Sequence, residues 1–186
     1  MVDKMDTENK SKEKKKDQVM AILVGNIGCG KTTLSRKYAD KKYIVISRDG
    51  LRSMIDGDRY KFDLELEPNV YDVETYAIEL FLRSGYNIVV DETNTSLRSR
   101  RRLLMIAEDH NVQTLVHVLP RLSKKECVDR RVKDTKRKYT KEKWEEIWDL
   151  FDSKYVDPEL KEGFDWMLRE KYPKQTLGRL VRHGYR

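Results

Sequence analysis

Only two cysteines, Cys29 and Cys127, occur in the 186 residues, which excludes a disulfide framework or a cysteine-rich metal cluster. No run is long and apolar enough to span a bilayer, and the N-terminus lacks the apolar core of a signal peptide. The expectation is a reducing, cytoplasmic compartment and no membrane partner. No internal repeat recurs and no second domain is visible, so the length suits one α/β domain. Charge, by contrast, is abundant. Thirty-nine Lys or Arg against 32 Asp or Glu give a net charge of +7, which points to a polyanionic partner such as nucleic acid.

The excess is uneven. From Arg121 to Lys143 there are eleven Lys or Arg against Glu126, Asp129, Asp134 and Glu142. Arg169, Lys171, Lys174, Arg179, Arg182 and Arg186 follow against Glu170. Such a run is either a nucleic-acid surface or a solvated face. Residues 1–18 are mixed in charge and nearly free of core residues, the composition of a disordered tail.

The chain is organised around Gly25-Asn26-Ile27-Gly28-Cys29-Gly30-Lys31-Thr32, the spacing of a phosphate-binding loop. Its glycines let successive backbone N–H groups turn inward around phosphates, and the helix that starts here adds its dipole. Lys31 is placed to reach the β- and γ-phosphates and the Thr32 hydroxyl to ligate Mg²⁺. Thr33 completes the nucleotide-contacting stretch. Before the loop, Val19–Val24 is a continuous apolar run, as in a strand buried on both faces. After it, Leu34 and Tyr38 recur at helical spacing. Strand, loop and helix in that order make ATP·Mg²⁺ the expected ligand. Cys29 reads as a small residue tolerated where only backbone matters.

Tyr43–Ser47 is expected as a second buried strand, with Arg48-Asp49 at its carboxyl end, where parallel sheets collect ligands. A short helix follows to Ile55, then a polar, irregular stretch from Asp56 to Asn69. Val73, Ala77, Leu80, Phe81 and Ser84 mark one face of a helix that stops at Gly85. Ile88–Val90 is a third strand and leads into Asp91-Glu92-Thr93-Asn94. A helix from about Leu97 to Glu108 carries Arg98, Arg100, Arg101 and Arg102, and Thr114–Leu119 is a fourth strand. Ser123 and Glu126 form a capping-box pattern. Trp144, Ile147, Trp148, Phe151 and Tyr155 give a last helix whose aromatic stripe reads as core. Beyond Asp157 the pattern weakens.

Asp49 either orients an acceptor hydroxyl, with Arg52 on the same helix face balancing charge, or merely caps the short helix. Asp91 ends a strand where phosphate-loop proteins hold Mg²⁺ through water. Glu92 beside it leaves open an ATP-hydrolysing motor, in which that acid activates water.

Three pieces together resemble the polynucleotide kinase family of P-loop kinases: the Gly25–Thr32 loop, Ser47-Arg48-Asp49-Gly50-Leu51-Arg52, and Val90-Asp91-Glu92-Thr93-Asn94 followed by Arg100-Arg101-Arg102. They occur in the family's order and cover roughly residues 19–152. The resemblance implies a P-loop NTPase/kinase fold, a short parallel sheet sandwiched by helices with a helical lid. It implies Asp49 as general base, Arg52 on the acceptor phosphate, and a lid from Cys127 to Arg137 that touches ATP. The family's lid carries two arginines four apart, whereas Asp134 stands four after Arg130; Arg130 and Arg131 are the candidates here. The expected organisation is a charged tail over 1–18, a kinase domain over 19–156 and a basic extension over 157–186, packed on that domain or flexible beside it. The acceptor expected is a nucleic-acid hydroxyl, most simply a 5′ end. Alternatives are a hydroxymethyl pyrimidine in DNA, a small metabolite, or no acceptor in a nucleic-acid-stimulated ATPase.

Overall fold

The apolar run before the loop is the centre of a sheet. In a computed structural model, which describes residues 15–57, 60, 62–134, 137, 139–171 and 181–182, strand β1 spans Lys15–Val24, and Met20 to Val24 have no exposed surface. Chain order continues α1 (Lys31–Ala39), β2 (Ile44–Ile46), α2 (Arg48–Ile55), α3 (Glu67–Arg83), β3 (Ile88–Val90), α4 (Leu97–Asp109) and β4 (Val112–Val118). Then come α5 (Lys124–Val132), α6 (Lys141–Asp152), a 3₁₀ turn at Leu160–Glu162, β5 (Trp166–Arg169) and β6 (Val181–Arg182).

The sheet order is β2-β3-β1-β4-β5-β6. The first five strands pair in parallel and β6 pairs antiparallel with β5. Side-chain alternation divides the core in two. Met20, Ile22 and Val24 of β1 join Ile88 and Val90 of β3 against Ile78 and Leu82 of α3 and Leu103 and Ile106 of α4. Ala21, Leu23 and Val89 face the other way, onto Leu34 and Tyr38 of α1 and Cys127 of α5. This is the expected α/β sandwich. β1 has β3 on one side and β4 on the other, so the chain departs in opposite directions from its carboxyl end. That is where a crevice opens in such sheets.

Helix starts follow the sequence signals. Ser123 and Glu126 form a complete capping box on α5, while Ser96 and Thr140 accept from Ser99 N–H and Lys143 N–H at the heads of α4 and α6.

Several expectations are corrected. β1 begins at Lys15, inside the stretch read as tail; residues 1–14 lie outside the described residues. β2 is the edge strand and Val45 is 38% exposed, so its apolar run does not mark burial on both faces. The buried face of α3 is Val70, Glu74, Ile78 and Leu82; Val73 and Leu80 are exposed, and only Ala77 and Phe81 of the expected face pack on the core. Tyr155 falls beyond the end of α6. Of the two arrangements expected for the extension, residues 157–171 take the packed one, because β5 extends the sheet on β4 and Phe164 is core. Lys174, Arg179 and Arg186 lie outside the described residues.

Arg100 shows how the far end is tied in. It is fully buried, binds both Glu162 oxygens through Nε (2.8 Å) and Nη2 (2.7 Å), and donates through Nη1 to the carbonyls of Asn94, Thr95 and Val156. One guanidinium thus joins the segment after β3 to the approach to β5.

Candidate active site

The loop after β1 closes on the segment after β3: Gly25 N–H donates to Thr93 O at 2.9 Å. Gly28 and Gly30 adopt φ of 71° and 109°, the left-handed region that glycine enters at no steric cost. A Cβ on Gly28 would also lie 2.5 Å from the Cys127 carbonyl oxygen. Gly30 is the N-cap of α1, and its carbonyl accepts from Thr33 and Leu34 N–H. Lys31 is buried and folds back over the loop, donating to the carbonyls of Gly25 and Asn26 at 2.9 Å each. Asn26 donates to Trp148 O, which moors the loop to α6.

A cavity of about 380 Å³ lies between this loop and α5, lined by Gly28, Gly30, Lys31, Thr32, Thr33, Arg130, Arg131 and Asp134. Arg130 Nη1 donates to Gly28 O at 3.2 Å. Arg131 lies 3.6 Å from Asp134 and 5.3 Å from the Trp144 ring. Burial and the neighbouring Arg137 charge lower its pKa. Its Nε is buried with no hydrogen-bond partner among the described residues. Arg130 therefore touches the loop, and Arg131 lines the same cavity as the loop. The side chains of Ile27 and Cys29 pack into the core, which leaves their backbone to the loop.

Arg131, Lys31 and Thr32 also border a second cavity of about 480 Å³, which Arg48, Asp49, Arg52, Asp91, Glu92 and Thr93 share. Asp91 Oδ2 accepts from Ser35 Oγ at 2.9 Å, which fixes the carboxylate against α1 near Thr32. Among the described residues no cluster of three or more His, Cys, Asp or Glu could hold a metal by itself. A hydroxyl, one carboxylate and incoming phosphate oxygens are the donor set suited to Mg²⁺.

Asp49 lies in the first turn of α2 but does not cap it. Its Oδ1 accepts from Arg52 Nη1 at 2.8 Å and its Oδ2 from Arg137 Nη2 at 2.5 Å. Burial alone would raise the Asp49 pKa; the charge and hydrogen bond of Arg137, then Arg52 and Arg131, outweigh it and hold the carboxyl below its usual range. Arg52 is fixed from behind by Glu67, with Nε and Nη2 each 2.7 Å from a carboxylate oxygen.

Glu92 is engaged differently. Its Oε1 accepts from Arg48 N–H at 2.6 Å and its Oε2 from Arg48 Nη2 at 3.0 Å. Burial pushes its pKa up to about 7, with Arg48 opposing and Glu74 and Asp49 adding to the rise. Asn94, at φ 45°, turns away from the cavity and donates to Leu23 O at 2.9 Å. It braces the corner rather than lining it.

The far wall of the second cavity was missed in the sequence. Tyr60 and Phe62 come from the stretch before α3, and Tyr139, Trp144, Ile147 and Phe151 from around α6. The stripe read as core is partly core, since Trp144 is 2% exposed, and partly cavity wall. Trp144 Nε1 is a second buried donor with no partner among the described residues. Two aromatics inside a largely polar stretch were the available signal for Tyr60 and Phe62.

Among the described residues, much of the basic run is paired with acids. Arg121 pairs with Asp152, Lys124 with Asp149, Lys141 with Glu145 and Lys143 with Glu146. The acids come mostly from α6, just past the window that showed the excess.

A family model described as an AAA domain matches residues 20–170. Among solved structures, one from the Pnkp1/Rnl/Hen1 complex is 28% identical, covering 67% of this chain and 42% of that one, with a TM-score of 0.54. Another, from the Pnkp1/Rnl/Hen1 RNA repair complex, is 24% identical over 75% and 46%, TM-score 0.59. A fungal RNA kinase is 19% identical over 84% and 39%, TM-score 0.56. The chain spans less than half the length of these three, and the two less identical show the fold alone. No curated protein matches the sequence.

Proposed function

This chain belongs to the AAA domain family, and from that premise we propose that it is an ATP-dependent kinase whose acceptor is a hydroxyl on nucleic acid, a 5′-hydroxyl end of DNA or RNA. The observation that carries the proposal is the sharing of one cavity by the loop residues Lys31 and Thr32 and by Asp49 with its two guanidiniums. A carboxylate outside the phosphate loop is what a hydroxyl acceptor requires and bound nucleotide does not.

In this reading Gly25 to Thr33 cradle the phosphates and Lys31 leaves its two carbonyls for the β- and γ-oxygens. Arg130 and Arg131 stabilise charge on the transferring group from the lid side. Thr32 and, through water, Asp91 would hold Mg²⁺, which supplies charge neutralisation across the β- and γ-phosphates. Asp49 orients the acceptor hydroxyl and takes its proton, and Arg52 binds the acceptor phosphate. The aromatic and apolar wall opposite supports a nucleotide acceptor over a small polar metabolite, because bases stack on such surfaces. The likeness to a chain of the Pnkp1/Rnl/Hen1 complex supports it as well.

The test is γ-labelled ATP offered with 5′-hydroxyl oligonucleotides of DNA and RNA, nucleosides, hydroxymethylated DNA and small polyols. Label at a 5′ end is the expected result. Label on a modified base or small molecule would move the acceptor class. Labelled inorganic phosphate alone, stimulated by nucleic acid, would replace the kinase with an ATPase.

A further inference from the structure

The two arginines on Asp49 are held very unequally. Arg52 is gripped by both oxygens of Glu67 as well as by Asp49. Among the described residues Arg137 has no carboxylate besides Asp49; otherwise its guanidinium only lies on the Tyr60 ring, 4.2 Å from the centroid. An anion entering the cavity therefore detaches Arg137 far more readily than Arg52.

Resting on the kinase reading above, we propose that Arg137 is a specificity-determining latch: it holds Asp49 in an ion pair when no acceptor is bound and releases it to an acceptor that carries an anionic phosphate beside its hydroxyl. With the latch closed, Asp49 is a poor base for water as well, so ATP is spared hydrolysis. When the acceptor phosphate, already facing Arg52, also takes Arg137, Asp49 keeps only its bond from Arg52 Nη1 and regains basicity. The acceptor O–H proton then passes to the Asp49 carboxylate as oxygen bonds to Pγ. The bond from Pγ to the β,γ-bridging oxygen breaks and its electron pair leaves with ADP.

Other charged or titratable groups face Asp49. They are Arg131 from α5, Glu92 after β3, and Tyr60, whose own pKa is raised to about 12, by burial first and then by Asp49. None but Arg52 and Arg137 is seen to bond it, so removing Arg137 changes Asp49 most.

The experiment compares wild type, Arg137→Gln and Arg137→Lys on a 5′-hydroxyl oligonucleotide with a phosphodiester first linkage and on the same oligonucleotide with a neutral methylphosphonate there. Labelled product, acceptor-free ATP hydrolysis and the pH profile of kcat/KM are read, and nucleotide titration verifies folding. Wild type should prefer the phosphodiester strongly. In Arg137→Gln that preference should fall and acceptor-free hydrolysis should rise, each roughly tenfold or more, the worth of one charge-assisted hydrogen bond. The acid limb of the profile should move to higher pH in Arg137→Gln and stay near wild type in Arg137→Lys. Equal loss on both acceptors, with no rise in hydrolysis and an unmoved acid limb, would overturn the latch while leaving the kinase standing. Absence of labelled product from wild type with either acceptor would instead overturn the kinase reading on which the latch depends.

Discussion

Glu162→Gln removes one negative charge from a place no sequence motif marks. Arg100 has no exposed surface and its only carboxylate among the described residues is Glu162, itself 8% exposed. The substitution keeps the shape and the acceptor for Glu159 N–H but strands a buried guanidinium. Breaking a buried pair from one side costs about 3–5 kcal/mol. Three carbonyl acceptors remain on Nη1, which places the expected loss near the lower figure. Against a domain stability of about 5–15 kcal/mol this is large, and for a chain of this length it lowers Tm by roughly 10 °C. Urea unfolding with an unchanged m-value is the assay. A loss under about 1 kcal/mol, the range of surface pairs, would refute the claim that this pair ties residues beyond 157 into the fold.

His117 is buried between Tyr38 and Glu170, and burial, then Lys37 and Lys41, lowers its pKa from 6.5 to about 4. The unfolded chain takes the proton first, so stability is full above pH 6.5 and declines as pH falls toward 4; about 2 kcal/mol should be lost between pH 7 and pH 5, and His117→Gln should flatten that slope in acid titrations. Gly28→Ala forces a Cβ onto the Cys127 carbonyl at a positive φ; nucleotide affinity measured by titration should fall by about tenfold or more, and a normal affinity would mean the loop adapts. Lys31→Ala should abolish label transfer while circular dichroism stays native, whereas full turnover would remove Lys31 from the site.

What could be read from the chain was local. Val19–Val24, the glycine loop and the Leu34–Tyr38 spacing lie within some twenty residues, so strand, loop and helix constrain one another in sequence. Asp49 and Arg52 are one helical turn apart and were legible as a pair. Arg137, 88 residues from Asp49, was not, because nothing in a segment of mixed Lys and Arg says which one folds inward. The buried face of α3 was misread because Glu74 sits in its core register, paired with Arg102 at 2.7 Å and near Arg48 at 3.6 Å, and a buried carboxylate breaks the apolar periodicity. β5 was missed because four residues against β4 carry too little pattern to be seen alone. Several bases of the run pair with acids of α6 that lie mostly downstream of it, a pairing no local charge count could show.

The central claim is that Asp49, and not Glu92, serves the reacting hydroxyl. Asp49→Asn and Glu92→Gln should be compared for labelled product with a 5′-hydroxyl oligonucleotide, alongside nucleotide titration. The expected result is near-complete loss of transfer in Asp49→Asn with ATP affinity close to wild type, about 10²–10⁴-fold for a general base, and a much smaller effect of Glu92→Gln. Turnover abolished by Glu92→Gln and tolerated by Asp49→Asn would contradict the account and make the protein an ATPase.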